Sequence, residues 1–220
     1  MVLRTAGGHF SLLVFLWSVA VVQSQNVWSV TYTTQSICTL KGSTVEMSCS
    51  YTYPSGTVTS TFWFTKKFDV ENYVNLINDR NYKGRVKDRS DKTNGHTLRI
   101  TDLRESDSAE YKFRFITDQT GGKYSGYPGV TLSVTGLLVK VTPATVTEGQ
   151  KVTLTCSTTC TLGDNPTYVW YKNGHVTTKS TSLFLNPVSS EDAGRYSCSV
   201  EGHEDLPSAE ETLTVTCEDV

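Results

Sequence analysis

The chain has 220 residues, of which 20 are Lys or Arg, 22 are Asp or Glu and 6 are Cys, and its formal net charge is −2. This balance excludes the global positive field that holds nucleic acid, so any anionic ligand must be bound by local charges. The length is sufficient for two small β domains, each with its own hydrophobic core.

The N-terminal segment predicts a cleaved secretory signal peptide over residues 1–24. Arg4 precedes an apolar stretch at 10–22 that is too short to span a bilayer comfortably, which makes a membrane anchor the weaker alternative. Small residues suit a cleavage after Ser24, and loss of Arg4 takes the net charge from −2 to −3. The mature chain would then meet an oxidising compartment, where thiols pair.

Residues 25–136 have the pattern of a long β domain. Apolar and polar residues alternate up to Cys49, Trp63 follows 14 residues later, and another alternating strand contains Tyr111 and Phe113. The 64 residues between Cys49 and Phe113 leave room for additional strands within this interval.

An ion pair is expected at the base of the same domain. Arg85 follows a turn glycine and Asp107 precedes the strand of Tyr111, and we assign Arg85 and Asp107 to structure and not to a ligand site.

Residues 137–217 repeat the plan in a shorter form. Cys156 ends an alternating strand, Trp170 opens the next, and Tyr196 stands two residues before Cys198. This is the signature of an immunoglobulin sandwich, in which the cysteines join two sheets, the Trp packs on their disulfide and the Tyr forms a corner. The separation of 42 residues leaves no room for the strands C′ and C″, so this domain is predicted to be constant-type.

The predicted fold class is therefore all-β, with two tandem immunoglobulin-like sandwiches after the signal peptide. The first, at 25–136, is V-type with strands C′, C″ and D; the second, at 137–217, is C2-type; and 218–220 form a tail. The short junction near residues 135–138 has no Gly/Ser/Pro cluster, which predicts a fixed arrangement of the domains.

The first domain departs from the usual plan at one strand. Phe113 stands where the second cysteine of the sheet-bridging disulfide is expected, so a bulky ring must fill that space. Because side chains alternate along a strand, Tyr111, Phe113 and Phe115 should face the core. The same alternation directs Lys112 and Arg114 onto the outer face.

The run Tyr111-Lys-Phe-Arg114-Phe, with the missing cysteine and the additional Cys160 in the second domain, resembles the sialic-acid-binding immunoglobulin-like lectins. The sequences of Thr97–Ala109 and of Cys156-Ser-Thr-Thr-Cys160 look especially like those of the CD22-like receptors of bony fishes. The resemblance covers essentially the whole mature chain. It implies that the Arg114 guanidinium binds the carboxylate of a sialic acid in a two-pronged salt bridge.

The resemblance also implies aromatic contacts from Trp28 near the mature N-terminus and Tyr124 on the last strand. The alternative reading is that Trp28 and Tyr124 cover the sandwich edge and that Arg114 is a solvated residue paired with a neighbouring carboxylate. Lys112 is expected to be solvated and to raise the local potential for an anion. The sugar site requires Arg114 to be open to solvent and unclaimed by an acid.

Six cysteines allow fifteen pairings, and spacing alone indicates only the bond from Cys156 to Cys198. The resemblance implies a second bond, from Cys38 to Cys160, which would clamp the two domains together, while a local bond from Cys38 to Cys49 is the competing arrangement.

In the lectins the partner of Cys49 is a cysteine at the position of His96. We therefore expect Cys49 to be a buried reduced thiol, His96 to be a packing residue, and Cys217 to be free or intermolecular. The pattern Cys156-Ser-Thr-Thr-Cys160 has no second ligand pair at zinc spacing, and no nucleophile elbow or phosphate loop occurs. We therefore predict no enzyme, no metal and no cofactor.

Two functional hypotheses follow. The first is a secreted or cell-surface immune-type module that binds sialylated glycoprotein or glycolipid glycans, for cell adhesion or B-cell-type regulation. The second is a receptor ectodomain or soluble decoy that uses the same face against a protein partner. Neither involves nucleic acid, and no later apolar run approaches the length of a membrane helix.

Overall fold

Alternating apolar and polar residues form strands throughout the computed structural model, which describes residues 27–65, 73–162 and 166–217. In these ranges the regular structure consists of β-strands and three short 3₁₀ turns at Leu76–Asn78, Glu105–Asp107 and Ser190–Asp192. No helix in these ranges is long and apolar enough to cross a membrane. The predicted signal peptide and the tail 218–220 lie outside the described residues.

In the described part of the first sandwich there are nine strands. They are β1 (Ser29–Tyr32), β2 (Ser36–Leu40), β3 (Val45–Thr52), β4 (Val58–Phe64), β5 (Val86–Lys92), β6 (Gly95–Ile100), β7 (Ala109–Thr117), β8 (Lys123–Ser125) and β9 (Val130–Thr135). One sheet has the order β1-β3-β6-β5, and the other has the order β2-β9-β7-β4 with β8 also paired to β7. Strands β2 and β9 run parallel to each other, and the remaining pairs are antiparallel.

Nine further strands lie in the second sandwich, counted over residues 137–162 and 166–217. They are β10 (Leu138–Thr142), β11 (Val146–Thr147), β12 (Val152–Ser157), β13 (Tyr168–Lys172), β14 (His175–Ser180), β15 (Ser182–Leu185), β16 (Gly194–Val200), β17 (Glu211–Leu213) and β18 (Val215–Thr216). The sheets are β10-β12-β15 and β14-β13-β16-β17, and β11 pairs with β18. The predicted fold class, all-β with tandem sandwiches, is confirmed.

The interval between β4 and β6 is described in part. Strand β5 pairs with β6 at the place expected for strand D, and residues 73–85 contain a 3₁₀ turn and reverse turns, while strands C′ and C″ stay a prediction. The segment from Asp79 to Gly84 is rich in turn-forming side chains, and the Asp79 carboxylate accepts a hydrogen bond from the Asn81 amide at 2.9 Å. The rest of this interval, 66–72, lies outside the described residues.

Each core is centred on a fully buried tryptophan, Trp63 in the first sandwich and Trp170 in the second. The hydroxyls of Tyr111 and Tyr196 each donate to a backbone carbonyl four residues upstream at 2.7 Å, which is the tyrosine corner of immunoglobulin sandwiches. The same local chemistry therefore occurs in both halves.

A buried ion pair supports the base of the first sandwich. Arg85 donates to both carboxylate oxygens of Asp107, at 2.7 and 2.9 Å. Its guanidinium also donates to the backbone carbonyls of Asn81 and Asp102 at 2.9 Å. A fork of donors satisfied in this way belongs to the scaffold and is not open to a ligand.

Two disulfides are present. Cys156 on β12 bonds to Cys198 on β16, and Cys38 on β2 bonds to Cys160 after β12. The second bond joins the two sandwiches, and Leu40 of β2 is buried in the hydrophobic cluster of the second sandwich.

Candidate functional site

Strand β7 separates core residues from surface residues at the centre of the candidate site. Tyr111, Phe113 and Phe115 are fully buried. Arg114 lies on the opposite, outer face, where it is partly exposed. The alternation arises because successive side chains of a strand point to opposite sides of the sheet.

Arg114 is held by residues from two different segments. In register it lies opposite Ser125 of β8 and opposite Phe62 of β4. Its Nη1 donates to Ser125 Oγ at 2.7 Å, and its Cζ lies 4.1 Å from the centroid of the Tyr73 ring. Among the described residues, the guanidinium therefore has a neutral hydrogen-bond partner in Ser125, and its carbon lies over the ring of Tyr73.

No carboxylate within the described residues lies at ion-pair distance from Arg114. A guanidinium has five N–H donors, and the contact with Ser125 uses Nη1 alone. Within the described residues, Arg114 is therefore a partly exposed cation without a carboxylate partner.

The interpretation of Lys112 as a solvated cation is wrong. Lys112 is 9% exposed, and its ammonium forms an ion pair with Glu110 Oε2 and lies 5.3 Å from the centroid of the Tyr127 ring. The hydrogen bond from Lys112, followed by that from the Gly129 amide, lowers the pKa of Glu110. Because Glu110 and Lys112 lie two residues apart on one face of β7, the charge of Lys112 is neutralised locally.

The structure does not bring Trp28 and Tyr124 to the guanidinium. Tyr124 is paired in register with the buried Phe115, so it points to the inner side of the sheet. The Trp28 ring stacks on Phe115 at 5.4 Å and lies 6.4 Å from Tyr124. These two rings cover the end of the core, as the alternative reading has it, and Arg114 lies on the other face.

Sequence analysis did not identify Ser125, Phe62 and Tyr73 as members of the site. Phe62 had a usable signal, because it precedes Trp63 by one residue and must therefore point away from the core. Ser125 depends on the register between β8 and β7. Tyr73 lies in the interval between β4 and β5, far along the chain from Arg114. No local sequence pattern therefore indicates that the two side chains are in contact.

The ring of Tyr73 packs in turn against aromatic side chains of β4. Phe64, which is 1% exposed, packs edge-on against Tyr73 with centroids 4.6 Å apart. Phe62 lies 6.4 Å from the same ring. A stack therefore leads from the buried Phe64 through Tyr73 to the guanidinium of Arg114.

A second cluster of reactive residue types lies inside the first sandwich. Cys49 is buried and not in a disulfide, and it is the cross-strand neighbour of His96. His96 Nδ1 lies 3.1 Å from Asp88 Oδ1, and its ring packs on Phe113 with centroids 4.9 Å apart. Burial first, and the Asp88 carboxylate second, raise the pKa of the Cys49 thiol, which opposes a nucleophilic role.

Cys217 is also free, and it is exposed. Within the described ranges, no group of three or more His, Cys, Asp and Glu side chains is arranged to hold a metal ion.

Comparison with known proteins agrees with this architecture. Residues 137–217 match the family model described as immunoglobulin domain. Over 136 residues, 55% of this chain, the sequence is 33% identical to Protein turtle of Drosophila melanogaster, and the match spans 9% of that protein.

Two solved structures that match this chain share little sequence with it. A chain from a study of T cell specificity and activation by the superantigen toxic shock syndrome toxin-1 is 16% identical, with a TM-score of 0.40 over 49% of this chain and 99% of that one. The N-terminal domains of the bacteriophage RB49 Hoc protein are 17% identical, with a TM-score of 0.45 over 86% of this chain and 58% of that one.

The fold is that of two tandem immunoglobulin-like sandwiches, and the second of them carries the match to the immunoglobulin domain family. The family match, at residues 137–217, coincides with the second sandwich, from β10 to β18.

Proposed function

We propose that this protein is an extracellular recognition module whose first sandwich binds the carboxylate of a terminal sialic acid through Arg114. The observation that carries the proposal is a partly exposed guanidinium with a neutral hydrogen-bond partner and no acid at ion-pair distance among the described residues. Arginine is suited to this task because its planar fork matches the two oxygens of a carboxylate.

An extracellular location is consistent with the covalent structure. Two disulfides, one of them between the sandwiches, require an oxidising compartment to form and persist. The predicted signal peptide leads to the same compartment.

Binding by one such site should be weak. A carboxylate at a partly exposed surface offers few hydrogen bonds, and association costs translational and rotational freedom. Clustered receptors and clustered sugars would supply the useful strength, because the second contact becomes effectively intramolecular.

The test is retention of the purified protein on beads that carry sialylated glycans. Arg114→Ala should abolish retention, and Arg114→Lys should weaken it strongly because an ammonium cannot form the two-pronged contact. Arg99→Ala is the matched control, since Arg99 is an exposed arginine on the other sheet, 3.0 Å from Glu46. Equal retention of the Arg114→Ala variant and the wild type would reject the sugar site.

A protein-binding receptor is the second candidate function. It is favoured by the inward placement of Trp28 and Tyr124, which removes the aromatic contacts expected for a sugar, and by the 53% exposure of Tyr127 beside Lys112. Aromatic side chains are enriched in protein interfaces. Sialidase treatment of target cells separates the two functions, because only the lectin should lose binding.

A further inference from the structure

We infer that Tyr73 and Ser125 are positioning residues that hold the Arg114 guanidinium ready for a planar, two-oxygen acid. The inference rests on the proposed carboxylate site and extends it to two residues that do not themselves need to contact the ligand. It follows from how the three side chains meet on the outer face of the β4–β7–β8 sheet.

The first support is aromatic. The Cζ atom of Arg114 lies 4.1 Å from the centroid of the Tyr73 ring, well inside the range of about 6 Å in which the ring quadrupole attracts a cation. Tyr73 packs in turn on the buried ring of Phe64. The guanidinium carbon therefore lies over an anchored aromatic ring.

The second support is a hydrogen bond on one edge. Ser125 is the in-register neighbour of Arg114, and its Oγ accepts from Nη1 at 2.7 Å. Strand β8 is held in place beside it, because the Tyr32 hydroxyl donates to the Gly126 carbonyl at 3.1 Å and accepts from the Phe113 amide at 2.8 Å. A side chain at Gly126 would collide with that hydroxyl, since an added Cβ would lie 2.5 Å from it.

With Nη1 bonded to Ser125 and the ring of Tyr73 on one side, a ligand binds the remaining N–H groups, which point outward in the plane of the guanidinium. In-plane approach suits a carboxylate, whose two oxygens and carbon are coplanar with the fork that binds them. A long side chain that is already ordered also loses less conformational entropy on binding, so preorganisation raises affinity without any new contact.

The binding test uses free N-acetylneuraminic acid titrated into isotope-labelled protein. Tyr73→Leu, which keeps apolar bulk but has no π-system, should weaken binding about three- to tenfold, and Tyr73→Phe, which keeps the ring, should bind more tightly than Tyr73→Leu. Ser125→Ala should weaken binding about two- to fivefold. A loss in Tyr73→Phe as large as that in Tyr73→Leu would overturn the stacking role.

A second measurement needs no ligand. The Nε–H resonance of Arg114, assigned by its disappearance in Arg114→Lys, should be shifted upfield by the Tyr73 ring current in the wild type and in Tyr73→Phe. The shift should vanish in Tyr73→Leu. An Arg114 resonance at the position of a free arginine in the wild type would overturn the inference directly.

The two readouts separate failure of this inference from failure of the proposed function. If Arg114→Ala abolishes binding while Tyr73→Leu and Ser125→Ala bind as tightly as the wild type, the carboxylate site stands and the positioning roles are rejected. If the wild type does not bind the acid, the proposed function fails, and the ring-current shift still decides whether the guanidinium is preset.

Discussion

In the second sandwich the Cys156–Cys198 disulfide crosses between the sheets beside the buried Trp170, whereas in the first sandwich the ring of Phe113 lies in the corresponding position beside Trp63. The rings of Phe113 and Trp63 meet at 5.5 Å in a T-shaped arrangement. One core is therefore closed by a covalent bond and the other by aromatic packing.

Several side chains pack around Phe113 in the first core. Phe113 is also within 5.4 Å of the Tyr51 ring and 4.9 Å of the His96 ring, measured between centroids. Cys49, the remaining half of the lost bridge, is buried beside them as a thiol. The comparison teaches that packed aromatic side chains from neighbouring strands can replace the disulfide between the two sheets. The stability of the first core should therefore depend on each of these rings.

The sharpest way to break this comparison is Phe113→Ala. Truncation of a fully buried ring should lower the free energy of unfolding of the first sandwich by about 3–5 kcal/mol. Because the two sandwiches can unfold separately, amide hydrogen exchange should be followed on β7 for the first and on β16 for the second. Protection should fall on β7 and persist on β16.

The matched variant in the second sandwich is the double replacement of Cys156 and Cys198 by Ala. Loss of a native disulfide costs about 2–5 kcal/mol, so protection should fall on β16 in this protein. An unchanged exchange rate on β7 in Phe113→Ala would contradict a core that depends on ring packing.

Local spacing made the scaffold predictable. Trp63, Trp170 and the two corner tyrosines occur at distances from the cysteine positions that only one arrangement of strands satisfies, and the outward direction of Arg114 follows from a period of two. The interval after β4 was less predictable, because length alone does not distinguish strands from turns.

The candidate site was predicted only in part, since it depends on register and on distant contacts. A shift of one residue between β8 and β7 reverses the face of Tyr124, and a segment with Gly121, Gly122 and Gly126 does not specify that register. Tyr73 reaches Arg114 through tertiary packing alone. The pairing of Lys112 with Glu110 was accessible from sequence, because residues two apart on a strand share a face.

A smaller effect is expected when a disulfide is introduced into the first sandwich by His96→Cys, which makes the two sandwiches more alike. Cys49 and His96 are cross-strand neighbours, a distance that a disulfide can span. We expect a net gain of about 1–3 kcal/mol, because the entropy of the closed loop is offset by loss of the His96 contact with Asp88.

Thiol counting checks whether the bridge forms. The denatured wild type should show two thiols, Cys49 and Cys217, and the native wild type should react only at the exposed Cys217. The denatured His96→Cys variant should show one. Two or more reactive thiols in that variant, or His96→Ser with equal stability, would argue against the bridge.

The smallest expected effect is a loss of stability of the first sandwich at acid pH, which arises from Glu110 and has no counterpart expected in the second sandwich. The Lys112 ammonium, and then the Gly129 amide, lower the pKa of Glu110 in the folded protein, so the carboxylate contributes stability that is complete above its unfolded pKa of about 4.3. That contribution is lost as the pH falls through the folded pKa. The side chain of Glu110 is 39% exposed, so solvent screening limits the effect to about 0.5–1 kcal/mol.

Glu110→Gln isolates this contribution, because the amide oxygen can still accept from Lys112 and Gly129 while the charge is removed. The variant should be less stable than the wild type at pH 7, and the difference should shrink toward zero below pH of about 4, as read from exchange on β7. Glu46→Gln, on the other sheet opposite Arg99, controls for the loss of an exposed charge. A difference that stayed constant from neutral to acid pH would mean that the Glu110 side chain acts by packing and hydrogen bonding and not by its charge.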